Sequence, residues 1–116
     1  MNAVTQPEGL GSAVLLRAIE PIWGIEEMQR SRGHQDIRRL TRGPAMLCQA
    51  LSVQRREDGV DLTKNPAMMI AECSTSEPVF QVTTTGRIGV SRGAELPLRY
   101  FINDNPFVSG RRRDHV

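Results

Sequence analysis

The residue that most strongly suggests chemistry in this sequence is an arginine inside an apolar segment. Arg17 interrupts residues 13–19, AVLLRAI, whose other side chains are typical of a strand buried on both faces. A buried guanidinium without partners is energetically costly, so Arg17 is expected to face a polar cleft, a carboxylate or a phosphate. The pattern leaves open the alternative that Arg17 lies at an edge and extends its charged end into water.

The histidines and cysteines do not have the spacing of a metal site. His34 and His115 lack a cysteine or carboxylate at ligand distance in the sequence, and Cys48 and Cys73 are too far apart for a zinc pair. Cys48 falls on the apolar face of a predicted helix, which favours a buried and inert thiol. The sequence therefore predicts no metal.

The paired carboxylates are interpreted as surface charge. Glu26–Glu27 and Glu57–Asp58 both lie in polar stretches, which does not favour a role in general acid or base catalysis. No P-loop, GxSxG or GxGxxG motif is present, and no cofactor is predicted.

The basic residues are unevenly distributed, although the net charge is only +2. Between residues 30 and 56, seven arginines accompany one acidic residue, Asp36. Because arginine binds phosphate in a planar, bidentate manner, such a block suits nucleic acid. A solvated surface is the alternative, and composition alone favours it. The seven residues of this basic block are Arg30, Arg32, Arg38, Arg39, Arg42, Arg55 and Arg56.

The length and composition indicate one small domain. The chain has 116 residues and a mass of 12.9 kDa, which allows a modest core. Hydrophobic residues make up 39% and charged residues 24%, and no apolar run is long enough to span a bilayer. With no visible signal peptide and only two cysteines, we expect a cytoplasmic protein without a membrane partner.

The pattern predicts a mixed α/β (α+β) fold with a largely antiparallel sheet and a few short helices. Helices are expected at residues 24–31, where Ile25 and Met28 share one face, and at 43–53, where Pro44 suits the first turn. Residues 32–42 are predicted to be a mobile loop, and residues 110–116 a basic disordered tail. Strands are predicted at residues 13–19, 67–71, 79–83, 87–90 and 98–102.

Several segments, in order, resemble the C-terminal part of the alkyladenine (3-methyladenine) DNA glycosylase family. That family hydrolyses the N-glycosidic bond of alkylated purines in base-excision repair. The resemblance extends from Met1 to about Ser109 and implies a domain over residues 1–109. It rests on AVLLRAIEP (13–21), GIEEM (24–28), GPAMLCQAL (43–51), DLT (61–63), RIGV (87–90), PLRYFI (97–102) and NPFVS (105–109).

The resemblance implies roles for individual residues. Arg17 matches the family arginine that helps to hold the nucleophilic water and a phosphate of the flipped nucleotide. Ile88 matches the residue whose main-chain carbonyl also holds that water, and Asn2 matches an asparagine that lines the base pocket. Gly89 matches the family position at which the protein backbone closely approaches the DNA.

One position departs from the family pattern. Met46 stands where relatives usually have a lysine or arginine that meets a phosphate. Arg42, where asparagine or serine is common, is the candidate that would supply the missing charge to DNA.

The family's catalytic glutamate, in an ETEAY-like segment, has no counterpart in this sequence, nor do the rings that stack on the flipped base. We therefore expect a C-terminal fragment of an incomplete domain that is inactive alone and prone to aggregate. Val14, Leu15, Leu16 and Ile19 should then be more exposed than so apolar a strand normally is.

The implied partner is double-stranded DNA with alkylated or deaminated purines, bound by a full-length protein that is a monomer. In use, such a protein would associate with the nucleoid. The alternative is a non-catalytic, basic nucleic-acid-binding module built on the basic block.

Overall fold

The computed structural model describes residues 1–72 and 80–111, and these residues form two helices and two small antiparallel sheets. The predicted α+β class is confirmed. Two single 3-10 turns, Ile37–Arg39 and Arg55–Glu57, accompany the longer elements. In chain order the elements are β1 (Asn2–Val4), β2 (Ala13–Leu15), α1 (Ile25–Arg32), α2 (Pro44–Ala50), β3 (Val82–Thr85) and β4 (Arg99–Ile102).

The two helices form where the sequence predicts them. Pro44 occupies the first turn of α2, where a missing N–H costs nothing, and Gly33 ends α1 in the left-handed conformation with φ +60°. The helices pack together through the face that carries Met28 and Ala50. Leu47 is also fully buried.

The segment between the helices is packed rather than mobile, so the predicted loop at residues 32–42 is wrong. Leu40 joins the core with Met28 and is fully buried. Thr41 is fully buried as well, and its hydroxyl donates to the carbonyl of Ile19 at 2.7 Å. The Arg32 guanidinium donates to the Leu40 carbonyl at 3.1 Å. These contacts hold the segment against both α1 and the chain that follows β2.

Each sheet is a single antiparallel pair of strands. In the first, Asn2 lies opposite Leu15; in the second, Thr85 lies opposite Arg99. The predicted strand at residues 98–102 is confirmed as β4, whereas the one at 13–19 shortens to the three residues of β2. Two-stranded sheets are marginal alone, so packing from other segments must support them.

Two predicted strands are absent from the described structure. Residues 67–71 are irregular because the Asn65 side chain accepts from the N–H groups of Ala67 and Met68, at 2.9 and 3.3 Å. Residues 87–90 form a bend around Gly89, whose φ of +72° is incompatible with a strand.

Some predictions fall on residues outside the described part of the chain. They concern Cys73, His115, residue 79 of the predicted strand 79–83, and most of the basic tail. Within the described ranges, none of the helices has the length and apolar character that crossing a membrane requires.

Candidate functional site

Arg17 borders a cleft whose lining is mainly apolar. It lies two residues beyond β2, is half-buried, and borders a cleft of about 310 Å³ between residues 14–20 and the chain that includes β4 and residues 105–109. Its Nε donates to the Ser109 hydroxyl at 3.3 Å. No other hydrogen bond or ion pair of the Arg17 side chain occurs among the described residues.

Ser109 belongs to a segment that two other arginines hold in place. We call Val108–Gly110 the strap. The Arg42 guanidinium donates to the carbonyls of Val108 at 3.2 Å and Gly110 at 3.4 Å. Arg99 Nη2 donates to the Ser109 carbonyl at 3.0 Å. Three consecutive carbonyls therefore each accept from a guanidinium, which fixes the backbone that carries the Ser109 hydroxyl.

Arg99 connects the strap to the second sheet. It is buried, with 5% of its surface exposed, and its Nη1 donates to the Thr85 hydroxyl at 3.1 Å. Its guanidinium also lies 4.2 Å from the centre of the Phe101 ring, two residues along the same face of β4. The sequence signal was available: like Arg17, Arg99 interrupts an apolar strand.

One carboxylate also borders the Arg17 cleft. Glu20 is exposed, and its Oε2 accepts from the Asn105 side-chain amide at 3.0 Å. Within the described ranges it makes no ion pair with Arg17. This arrangement leaves the positive charge of Arg17 available to an anion in the cleft.

The structure places Arg42 near the site, but its guanidinium contacts the strap, whereas the sequence predicts a contact with DNA. Arg42 is half-buried, and its Nε and Nη2 are both used on the strap. Only Nη1 makes no hydrogen bond within the described residues. A DNA contact by Arg42 therefore stays a prediction, and the observed contacts show that it also shapes the strap.

Asn2 does not share the cleft of Arg17. It is exposed on β1 and borders a second cleft of about 740 Å³, whose other walls are α2 and residues 53–63. Cys48 lines the same cleft and is half-buried rather than buried as predicted. Its sulfur accepts from the amino group of Met1 at 3.4 Å.

Two of the carboxylates along this second cleft, those of Glu57 and Asp61, have local hydrogen-bond partners. Glu57 accepts from Arg56 Nε at 2.8 Å and from the Gln54 N–H at 2.6 Å, which lowers its pKa below the usual 4.5. The Thr63 hydroxyl, 2.6 Å from Asp61, is the main cause of a pKa for Asp61 below 3.8. Glu57 thus caps a 3-10 turn instead of being only surface charge. Within the described part of the chain, no three histidine, cysteine or acidic side chains cluster closely enough to hold a metal ion.

Ile88 and Gly89 border neither of these two clefts. They form the bend of a loop over residues 86–94 that Arg87 closes, because its guanidinium donates to the carbonyls of Arg92 at 2.6 Å and Gly93 at 3.3 Å. Gly86 is required there, since a Cβ would lie 2.5 Å from the Ala94 carbonyl oxygen. The structure therefore brings Arg17 and Arg42 to one strap and leaves Asn2, Ile88 and Gly89 elsewhere.

Several arginines of the basic block are used within the fold. Arg30 pairs with Glu27 at 3.2 Å, Arg56 pairs with Glu57, and Arg32 donates to backbone carbonyls. The side chains that are exposed and make no hydrogen bond or ion pair in the described part are those of Arg38, Arg39 and Arg55.

The fold and the cleft thus define an α+β protein with a half-buried arginine at the edge of a mainly apolar cleft. The chain belongs to the methylpurine-DNA glycosylase family, whose family model matches residues 1–106.

Curated relatives agree with this assignment, and their names contain the words 3-methyladenine DNA glycosylase. One from Rhodopirellula baltica is 48% identical over 99% of this chain, and one from Francisella tularensis subsp. tularensis is 38% identical over 93%. One from Lactobacillus delbrueckii subsp. bulgaricus is 37% identical over 93%. The matches cover 51%, 56% and 53% of these proteins, so the chain spans about half their length.

Proposed function

We propose that this chain provides the phosphate-binding side of a 3-methyladenine DNA glycosylase active site. The observation that carries the proposal is the Arg17 guanidinium, which borders a cleft and is bound by a neutral hydroxyl. Family membership supplies the chemistry: hydrolysis of the bond between an alkylated purine and its sugar. In this reaction Arg17 would bind the nucleotide phosphate and donate a hydrogen bond that orients the attacking water. The resemblance implies that the Ile88 carbonyl accepts from the same water, but Ile88 lies outside the cleft of Arg17 in the described structure.

The cleft supports binding and orientation better than proton transfer. A general base removes a proton from the water as oxygen bonds to the anomeric carbon and the purine leaves, and such a base contributes about 10²–10⁴-fold to the rate. Glu20 is the carboxylate on the described wall of the cleft, and the Asn105 amide occupies one of its oxygens. We therefore propose that the base comes from polypeptide outside this cleft.

The proposed substrate is duplex DNA that contains an alkylated or deaminated purine, encountered on the nucleoid in the cytoplasm. Such an enzyme must first unstack the base, at a cost of a few kcal/mol that damage reduces. A positive charge on the flanking phosphate stabilises the unstacked nucleotide. In this proposal Asn2 and its larger cleft would meet the base.

The described structure does not favour the alternative of a basic module built on the whole block from Arg30 to Arg56. Arg30, Arg32 and Arg56 are engaged with carboxylates or carbonyls, and Arg42 is engaged with the strap. Carboxylates partly offset the charges of Arg30 and Arg56, whereas neutral acceptors only occupy some N–H donors of Arg32 and Arg42. The block therefore offers fewer open donors to phosphates than the sequence suggests.

A pair of matched arginine substitutions tests the proposal. We expect Arg17→Ala to weaken binding to a duplex with a stable abasic-site analogue about tenfold, because a charge-assisted phosphate contact is lost. The plot of log affinity against log salt concentration should also become less steep, with its slope reduced in magnitude by about one, because one phosphate contact is lost. Fluorescence anisotropy at several salt concentrations measures both quantities.

Arg38→Ala is the matched control, because it removes an equal charge from an exposed side chain outside the cleft. It should change affinity by less than about twofold. Equal losses from both substitutions would instead support the basic module, and no loss from Arg17→Ala would refute the proposed site.

A further inference from the structure

We propose that Ser109 is a positioning residue that holds Arg17 in the orientation needed to bind a DNA phosphate. The inference rests on the proposed function and assigns a role to a side chain that does not itself contact the substrate. Its basis is the 3.3 Å hydrogen bond from Arg17 Nε to Ser109 Oγ, across 92 positions of sequence.

The backbone that carries this hydroxyl is buried and restrained by hydrogen bonds. Ser109 is 5% exposed, and its own carbonyl is held by the buried Arg99 at 3.0 Å. The carbonyls on either side, of Val108 and Gly110, are held by Arg42. The strap therefore presents Ser109 Oγ to Arg17 from a backbone restrained at three successive residues.

A hydroxyl is chemically suited to this task. An arginine has five N–H donors, and the bond to Ser109 uses only the one on Nε. A carboxylate in the same place would neutralise the guanidinium and compete with a phosphate. A neutral acceptor fixes the plane of the guanidinium and leaves the four terminal donors and the full charge for an anion.

A purely structural role would predict a different result. If the bond only ties two distant segments together, its loss should lower stability without a specific effect on anion binding. If Ser109 positions Arg17, removing the hydroxyl should have no further effect once Arg17 is absent.

The test uses Ser109→Ala, Arg17→Ala and the double variant, with anisotropy on the abasic-analogue duplex and a thermal melt for each protein. We expect Ser109→Ala to weaken binding at least threefold and to lower the salt slope, and the double variant to bind as Arg17→Ala does. Ser109→Thr keeps the hydroxyl and should restore binding to within about twofold. Ser31→Ala, on the exposed face of α1, is the matched control and should bind as the unmodified chain does.

An NMR measurement makes the result independent of DNA. The Arg17 Nε–H signal should exchange slowly with water in the unmodified chain and in Ser109→Thr, and rapidly in Ser109→Ala. Additive losses in the double variant, failure of Ser109→Thr to restore binding, or slow exchange in Ser109→Ala would overturn the proposal. Absence of DNA binding by the unmodified chain would refute the proposed function instead, and the exchange rates would still show whether Ser109 holds Arg17.

Discussion

The arginines of this chain differ in role because each has different contacts in the fold. Arg99 is buried on an aromatic ring and holds the strap, whereas Arg42 is half-buried and spans two strap carbonyls. Arg17 has a single neutral partner and borders a cleft. Every arginine can bind phosphate through its N–H donors. The hydrogen-bond partners within the fold determine which guanidinium keeps enough of those donors open to do so.

The sequence reveals part of this arrangement and hides the rest for a physical reason. An arginine within apolar residues signals a partner, which is why Arg17 could be singled out. The partner could not be identified, because Ser109 lies 92 positions away and is brought close only by the fold. The resemblance of NPFVS to the family placed Ser109 in a motif but gave it no role.

Glu57 offers a test of the local electrostatics. We expect its carboxyl to titrate below 4.5 in the folded chain, mainly because Arg56 donates to it. A lowered pKa means that the charged form stabilises the fold above the unfolded pKa, and that this contribution is lost as the pH falls through the folded value. NMR titration of the carboxyl carbon measures the midpoint.

Arg56→Ala should raise the Glu57 midpoint toward 4.5 and leave Asp61, whose pKa is lowered chiefly by Thr63, unchanged. An unchanged Glu57 midpoint in this variant would show that the ion pair does not form in solution.

At the level of elements, the helices were predicted more accurately than the strands. Helix signals are local: Pro44 begins α2, and Ile25 and Met28 mark the buried face of α1. Short apolar runs are ambiguous because hydrogen bonds from side chains can redirect the backbone. Asn65 does so at residues 67–71, and Arg87 does so in the loop that contains RIGV.

The 86–94 loop permits a matched pair of glycine substitutions. Gly86→Ala should lower the free energy of unfolding by about 1–3 kcal/mol, because its Cβ would lie 2.5 Å from the Ala94 carbonyl oxygen. Gly11→Ala, where a Cβ would meet nothing within 4 Å, should be neutral or slightly stabilising. Urea unfolding followed by circular dichroism measures both, and equal effects would contradict the observed close approach.

The whole molecule exposes more surface than a protein of its mass normally does. Its accessible area is 9244 Å², against about 6,300 Å² expected for a folded monomer of this mass. Its radius of gyration is 15.1 Å, against about 13 Å for a compact domain of this length.

Several large apolar side chains are exposed, and Val14, Leu15 and Tyr100 among them line the Arg17 cleft. Val14 is 54% exposed and Leu15 43% exposed, as predicted for an uncovered strand, whereas Leu16 and Ile19 are half-buried. Trp23 is 87% exposed. We propose that further polypeptide of the kind present in the longer relatives covers this face, and that it completes the active site beside Arg17.

Single-turnover release of hypoxanthine from a duplex tests this account most directly. The chain would be assayed alone, and then with the part of the Rhodopirellula baltica relative that it does not match, in preparations free of host glycosylase. We predict no release above background alone, release on mixing, and a loss of at least tenfold in that release when the chain carries Arg17→Ala. Release by the chain alone that rises with its concentration, or a mixture whose activity is unaffected by Arg17→Ala, would contradict the account.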